Sequence, residues 1–218
     1  MPMTSIEQAR FNMVEQQIRP WDVLDMRVLE LLSKVKREQF VPPAQTNLAF
    51  MDLEIPLGHH AFMWQPKLEA RVLQSLQLLR HNTVLEVGSG SGYFAALLSR
   101  LAGHVVSVEI VPELHAFSEK NLSAHSIDNV TLELGDAAQA WSGNYDAIVL
   151  TGSVPVLPEA FLQSLNIGGR LFAIVGDAPA MKARLVTRIA PDQFEYATLF
   201  ETVVAPLQNA LQPNRFTF

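Results

Sequence analysis

Apolar strand-like runs alternating with helical segments over residues 83–175 predict an α/β protein built on a doubly wound, mostly parallel, Rossmann-like sheet of seven strands. Two further observations complete the expected class: an N-terminal helical cap, and a C-terminal antiparallel hairpin signalled by a change of pattern after Lys182. Thr83 to Val87 is β-branched and apolar enough for a central strand covered on both faces. Gly88, Gly90 and Gly92 follow it, and Tyr93-Phe94-Ala95-Ala96-Leu97-Leu98 starts a helix. His104 to Val108 is the second strand, ending in Glu109; Pro112 suits the first turn of a helix running to about Ala124. Val130 to Leu134 is the third, ending in Gly135-Asp136. Tyr145 to Leu150 is the fourth, with a turn at Thr151-Gly152-Ser153. Pro158 opens another helix, Gly168-Gly169 turns the chain, and Arg170 to Val175 is the fifth. Beyond Lys182, Arg184, Val186 and Arg188 alternate with Leu185, Thr187 and Ile189, and Pro191-Asp192 turns into Phe194 to Val204.

Residues 1–80 read as a helical cap with an acceptor loop, and 81–218 as the sheet core, the two forming one compact unit. Ser5 to Ile18 and Val23 to Lys34 carry helical apolar spacing, through Ile6, Phe11, Val14 and Ile18 in the first segment and Val23, Leu24, Met26, Leu29 and Leu32 in the second, and Pro20 separates the two. Phe40 to Gln65 is rich in turn formers and reads as a long irregular loop, a natural acceptor-binding lid. Pro66 then opens a helix from Lys67 to Leu79.

The glycine turn is the most informative stretch. A strand, a glycine-rich turn and a helix N-terminus leave backbone N–H groups aimed at whatever sits above the strand ends. Its spacing departs from the dinucleotide pattern, since one residue instead of two precedes the third glycine. Glu86 stands two places before the first glycine, where it would repel a pyrophosphate but attract a cationic methionine-type cofactor. Glu109, about 20 residues further on, would sit at the tip of the adjacent strand and take both ribose hydroxyls. Asp136 would accept from an adenine amino group. Three acids around one glycine turn point to S-adenosylmethionine (SAM) over NAD.

Composition narrows the class. The chain has 218 residues, 49% of them hydrophobic, enough for a full core. It has no Cys, so disulfides and thiolate metal sites are excluded, in keeping with a reducing cytoplasm. The N-terminal residues lack a signal peptide's apolar core, and no run approaches a membrane span. A net charge of −6 argues against nucleic acid as the main partner. Lys34, Lys36 and Arg37 read as a solvated helix end. His104, His115 and His125 lack ligand spacing, so no metal is expected. Trp21, Trp64 and Trp141 read equally as packing residues or stacking platforms, with only Trp64 placed to line a site.

Phe11-Asn12-Met13-Val14-Glu15-Gln16-Gln17-Ile18-Arg19-Pro20, Arg27-Val28-Leu29, Arg37-Glu38-Gln39-Phe40-Val41-Pro42 and Pro56-Leu57-Gly58, followed by the glycine turn, resemble protein-L-isoaspartate O-methyltransferases. The likeness continues through Ser107-Val108-Glu109, Gly135-Asp136, Tyr145 to Val149, Leu157-Pro158, Gly168 to Leu171 and Val175-Gly176, covering nearly the whole chain. It implies a Rossmann-like methyltransferase sheet and a SAM-dependent enzyme that esterifies the abnormal α-carboxylate of isoaspartyl residues in damaged proteins. Its partners would be such proteins or peptides, or an unknown small acceptor, with no nucleic acid or membrane, in a monomer or homodimer. For the cofactor it implies Glu86 and the turn Gly88, Ser89, Gly90 and Gly92, then Glu109 with Ile110, Gly135, Asp136 and Ala137, and Thr151.

The chain departs from the family at the acceptor loop. Where relatives carry a Thr two residues before an active-site Ser, this sequence has Phe62 and Trp64; His59, His60 and Ala61 replace residues that are commonly Gln and Gly. Gly152-Ser153 and Ala137 are further departures. An acceptor carboxylate with a reference pKa near 3.9 is ionised at pH 7 and needs no strong base, so alignment supplies most of the catalysis. Losing one hydroxyl then costs roughly one to four kcal/mol of barrier, whereas the volume of Trp64 could fill the acceptor's space. His59 and His60 could orient an acceptor or act as base for a neutral nucleophile. A changed acceptor, or a non-catalytic SAM-binding or interaction module, therefore stands beside the isoaspartyl expectation.

Overall fold

The computed structural model describes residues 4–213. Its core is a seven-stranded sheet in the order β5-β4-β3-β6-β7-β8-β9. The strands are β3 (Thr83–Val87), β4 (His104–Glu109), β5 (Val130–Leu134), β6 (Tyr145–Val154), β7 (Leu165–Val175), β8 (Lys182–Ala190) and β9 (Gln193–Glu201). β3 to β7 are parallel, and the β8–β9 hairpin joins antiparallel at β7, as expected. The chain runs outward from β3 to β5 and then returns to lay β6 on the other side of β3, so strand order reverses there. Ligands of such sheets bind outside the strand C-termini at that reversal.

Each sheet face buries alternate residues, as the pleat requires. Val84, Ala147, Val149, Phe172 and Ile174 face one core; Leu85, Val87, Ile148, Leu150, Leu171 and Ala173 face the other. The cap covers the first face with the segment Met13–Ile18, which continues α1 (Ser5–Asn12), and with α2 (Met26–Lys34) and α3 (Pro66–Leu76), sharing its core with α4 (Tyr93–Leu101). The second face packs on α6 (Glu159–Gln163) through Phe161 and Leu162. α5 (Pro112–Ala124) links β4 to β5.

Several expectations need correction. The first helix widens at Met13–Ile18 into a π-helix, which groups Met13, Val14 and Ile18 inward and leaves Ile6 and Phe11 about half exposed. Asp25 caps α2 by accepting from the Arg27 N–H, so Leu24 and Met26 point outward, and Val28 and Leu31 join Leu29 and Leu32 inside. α3 ends at Leu76, on a left-handed Gln77. The stretch between Phe40 and Gln65 is not irregular. It holds a 3-10 turn, Pro43–Leu48, and an antiparallel hairpin of β1 (Ile55–Gly58) and β2 (Ala61–Met63). Thr151-Gly152-Ser153 is strand, not turn, because residues 204–207 lie alongside and bond it: Ser153 N–H donates to Ala205 O and Leu207 N–H to Ser153 O, each 2.9 Å. Gly168-Gly169 likewise lies within β7, whose early start pairs Leu165 with Tyr145 across a register shift. β9 ends at Glu201, short of Val204.

Candidate active site

A cleft of about 970 Å³, counting the open space at its mouth, lies above the C-terminal ends of β3, β4, β5 and β6. Three things shape it: the strand tips, the β1–β2 hairpin, and residues 204–208 as a strap.

The strand tips carry the acids. Glu86 is fully buried in β3, with one carboxylate oxygen accepting from Ser107 Oγ and the other unpartnered. Burial pushes its carboxyl up to about 8, the Ser107 bond opposing and the nearby Glu109 adding to the rise. A buried oxygen without a donor is costly, and a cation above it removes the penalty. Glu109 is 5% exposed and is fixed at the end of β4 by N–H donors from Gly90 at 2.9 Å and Val111 at 3.0 Å. Two backbone donors leave it lone pairs for further hydroxyls. Asp136 accepts from the Ala138 N–H at 3.0 Å and from Asn209 Nδ2 at 2.8 Å.

The glycine turn is held by a bond the sequence did not announce. Thr151 Oγ1 lies 2.7 Å from Val87 O and 2.8 Å from Gly88 O, donating into the turn. A Cβ at Gly88, where φ is +96°, would stand 2.3 Å from that hydroxyl oxygen. Only glycine lets the backbone approach this closely. Gly92 does not line the cleft; its φ of +77° starts α4, and a side chain there would meet Ser118. Glu86, Gly88, Ser89, Gly90, Glu109, Ile110, Gly135, Asp136, Ala137 and Thr151 all line it. The cradle of glycines, the unpartnered Glu86 oxygen and the pinned Glu109 fit a cofactor with a cationic amino-acid end and a ribose.

On the opposite wall the hairpin turns at His59-His60, both left-handed with φ of 52° and 62°. Both are exposed; His60 lines the cleft, and His59 is absent from the lining and bonded through its carbonyl to Gln208 Nε2 at 3.3 Å. Phe62 is 42% exposed and also lines the cleft. Trp64 is 4% exposed and edge-on to Phe94 at 5.5 Å and Phe172 at 6.1 Å, so its ring is anchored in the core while one side touches the cleft. Trp21 and Trp141 pack elsewhere, on Phe200 and against Gly135.

Arg37 overturns the expectation of a solvated helix end. It is fully buried: its guanidinium bonds Glu69, Trp64 O at 2.5 Å and Ala49 O at 2.9 Å, and lies 5.1 Å from the Tyr93 ring centroid. It thereby ties the base of the hairpin to α3. Burial pushes the Glu69 carboxyl up, and Arg37 works against that. Long-range pairing of this kind leaves no local signal in sequence. Nor did the strap, or Glu54, which stands before β1 and lines the cleft half-buried. Among the described residues no group of three or more His, Cys, Asp or Glu could hold a metal ion, and no helix is long and apolar enough to cross a membrane.

A parallel sheet reversing at β3, with a glycine turn and an acid-lined cleft at that point, defines a class I methyltransferase scaffold. The family model described as Protein-L-isoaspartate(D-aspartate) O-methyltransferase (PCMT) matches residues 8–212, and the chain belongs to that family. Among similar proteins, the protein-L-isoaspartate O-methyltransferase 1 of Rhodopseudomonas palustris (strain HaA2) is 37% identical over 207 residues, 94% of this chain and 84% of the relative. The protein-L-isoaspartate O-methyltransferase of Protochlamydia amoebophila is 36% identical, covering 89% and 94%. A Plasmodium falciparum structure, described as a protein-L-isoaspartate O-methyltransferase in complex with S-adenosyl-L-homocysteine (SAH), superposes with a TM-score of 0.77 at 19% identity, covering 94% of this chain and 99% of that one. Another protein-L-isoaspartate O-methyltransferase structure gives 0.78 at 24%, with the chain spanning 66% of its length.

Proposed function

We propose that the protein is a SAM-dependent carboxyl O-methyltransferase that esterifies the α-carboxylate of isoaspartyl residues in damaged proteins or peptides. The observation that carries this is the cleft itself: one wall offers a glycine cradle between Glu86 and Glu109, and the other is the hairpin of a chain belonging to the isoaspartate methyltransferase family. Glu86 holds the ammonium of the cofactor's methionine part, Glu109 takes the ribose hydroxyls and Asp136 the adenine amino group; Ser89, Ile110, Gly135, Ala137 and Thr151 complete that wall. When bound, SAM would supply an electrophilic methyl group to a carboxylate oxygen, with SAH as the leaving group and no proton to move.

The protein's part is therefore alignment and exclusion of water. Phe62 and Leu57 form an apolar rim, and the wall behind them is fixed by Trp64, wedged between Phe94 and Phe172. No hydroxyl is required of position 64, because the nucleophile is already ionised. His60 is placed to orient the acceptor; His59 serves the turn. The remaining expectations are proposed with the reading: a cytoplasmic monomer or homodimer with no nucleic-acid partner.

The test is the chemistry of the product. Label from methyl-tritiated SAM should appear on an isoaspartyl peptide and leave it as methanol in mild base, as an ester does. Label stable to base would place the methyl on nitrogen or carbon and contradict the proposal.

A further inference from the structure

The cleft is lined by five carboxylates, Glu54, Glu69, Glu86, Glu109 and Asp136, together with His60, and by no Lys or Arg. Four of the five have assigned partners: Glu69 in Arg37, Glu86 in Ser107, Glu109 in the Gly90 and Val111 N–H groups, and Asp136 in Ala138 and Asn209. Glu54 is different. It stands just before β1 on the acceptor wall, half-buried, with no hydrogen-bond or ion-pair partner among the described residues, and burial pushes its carboxyl up.

We propose that Glu54 is a specificity residue that selects acceptors carrying positive charge beside the carboxylate to be methylated. The proposal rests on the isoaspartyl reading and deepens it. A carboxylate acceptor enters a cleft lined by acids and by no Lys or Arg, so a second negative charge on the substrate adds to the repulsion there. A neighbouring cation instead gives Glu54 the partner that the protein withholds. Partial burial makes the pairing stronger than a solvated surface contact, because water screens it less. Since no described cation stands against Glu54, nothing in the protein cancels the preference.

The experiment uses two isoaspartyl peptides identical except for Lys or Glu next to the isoaspartyl residue, with kcat/KM measured at one pH and saturating SAM. Wild type should favour the Lys peptide roughly tenfold, equivalent to about 1.4 kcal/mol. Glu54→Gln, which keeps the shape and removes the charge, should bring the ratio near one, and Glu54→Lys should invert it. An unbiased wild type, or a Gln variant that keeps the wild-type preference, overturns the proposal. If neither peptide is methylated, the isoaspartyl reading itself fails. Glu54 is then judged by the affinities of the same two peptides for the SAH-loaded protein, and equal affinities overturn its role.

Discussion

The two walls of the cleft are built in opposite ways. The cofactor wall is made of strand tips and one turn, its acids placed by short backbone bonds such as Gly90 N–H to Glu109, and its Gly88 forced by close approach to Thr151. The acceptor wall is a hairpin on the cap, held at a distance by Arg37 and Glu69 and closed by a strap from the far end of the chain. Local geometry constrains the first wall tightly. The second can change side chains as long as its anchors hold, which is where Phe62 and Trp64 depart from a hydroxyl-bearing loop.

Substitutions should separate the walls by what they damage. The largest effect is expected at Trp64: Trp64→Ser empties the space between Phe94 and Phe172 and should cost about 3–5 kcal/mol of stability in denaturant unfolding. A change below about 1 kcal/mol would place the ring outside the core. On the cofactor wall, Glu109→Ala removes charged hydrogen bonds and should weaken SAH binding by roughly 1.5–3 kcal/mol in calorimetry, with unfolding far less affected. Unchanged affinity would detach Glu109 from the ribose.

Glu86 gives a pH signature. Its folded-state pKa of about 8 lies above the usual carboxylate value of 4.5, so between those limits the folded protein binds more protons than the unfolded chain. Stability of the ligand-free protein should therefore fall as pH rises from about 5 to 8, by on the order of 3 kcal/mol, and Glu86→Gln should flatten that slope. SAH, whose ammonium would pair with the ionised form, should bind more tightly as pH rises through this window. An unaltered slope in the Gln variant would assign the dependence to other groups. The smallest effect is expected at the exposed rim: Phe62→Thr should leave SAH affinity unchanged and alter kcat/KM by tenfold or less, about 1.4 kcal/mol. A loss of cofactor binding there would show the walls to be coupled.

The same contrast sets what sequence made legible. Strand, glycine turn and acid lie within a few residues of one another, so the sheet core, the gathering of Glu86, Glu109 and Asp136 around the glycine turn, and the terminal hairpin could be read from local pattern. Boundaries failed where distant chain intervened, as in β6, extended by residues 204–207 pairing beside it. Helical periodicity misjudged Ile6 and Phe11 because a π-helix changes the period. Arg37 looked like one of three surface cations because its partners Glu69, Trp64 and Ala49 are distant in sequence. Glu54 carried no signal, since only the folded hairpin brings it into the cleft.

The most direct test of the central claim is methyl transfer by the unmodified protein to one peptide in two forms, isoaspartyl and ordinary aspartyl, compared as kcat/KM at pH 7. The isoaspartyl form should be strongly preferred, with a rate at saturating SAM nearly flat between about pH 6 and 8 because the acceptor is ionised throughout. Equal or absent turnover of both forms, in a protein that binds SAH, would contradict the account.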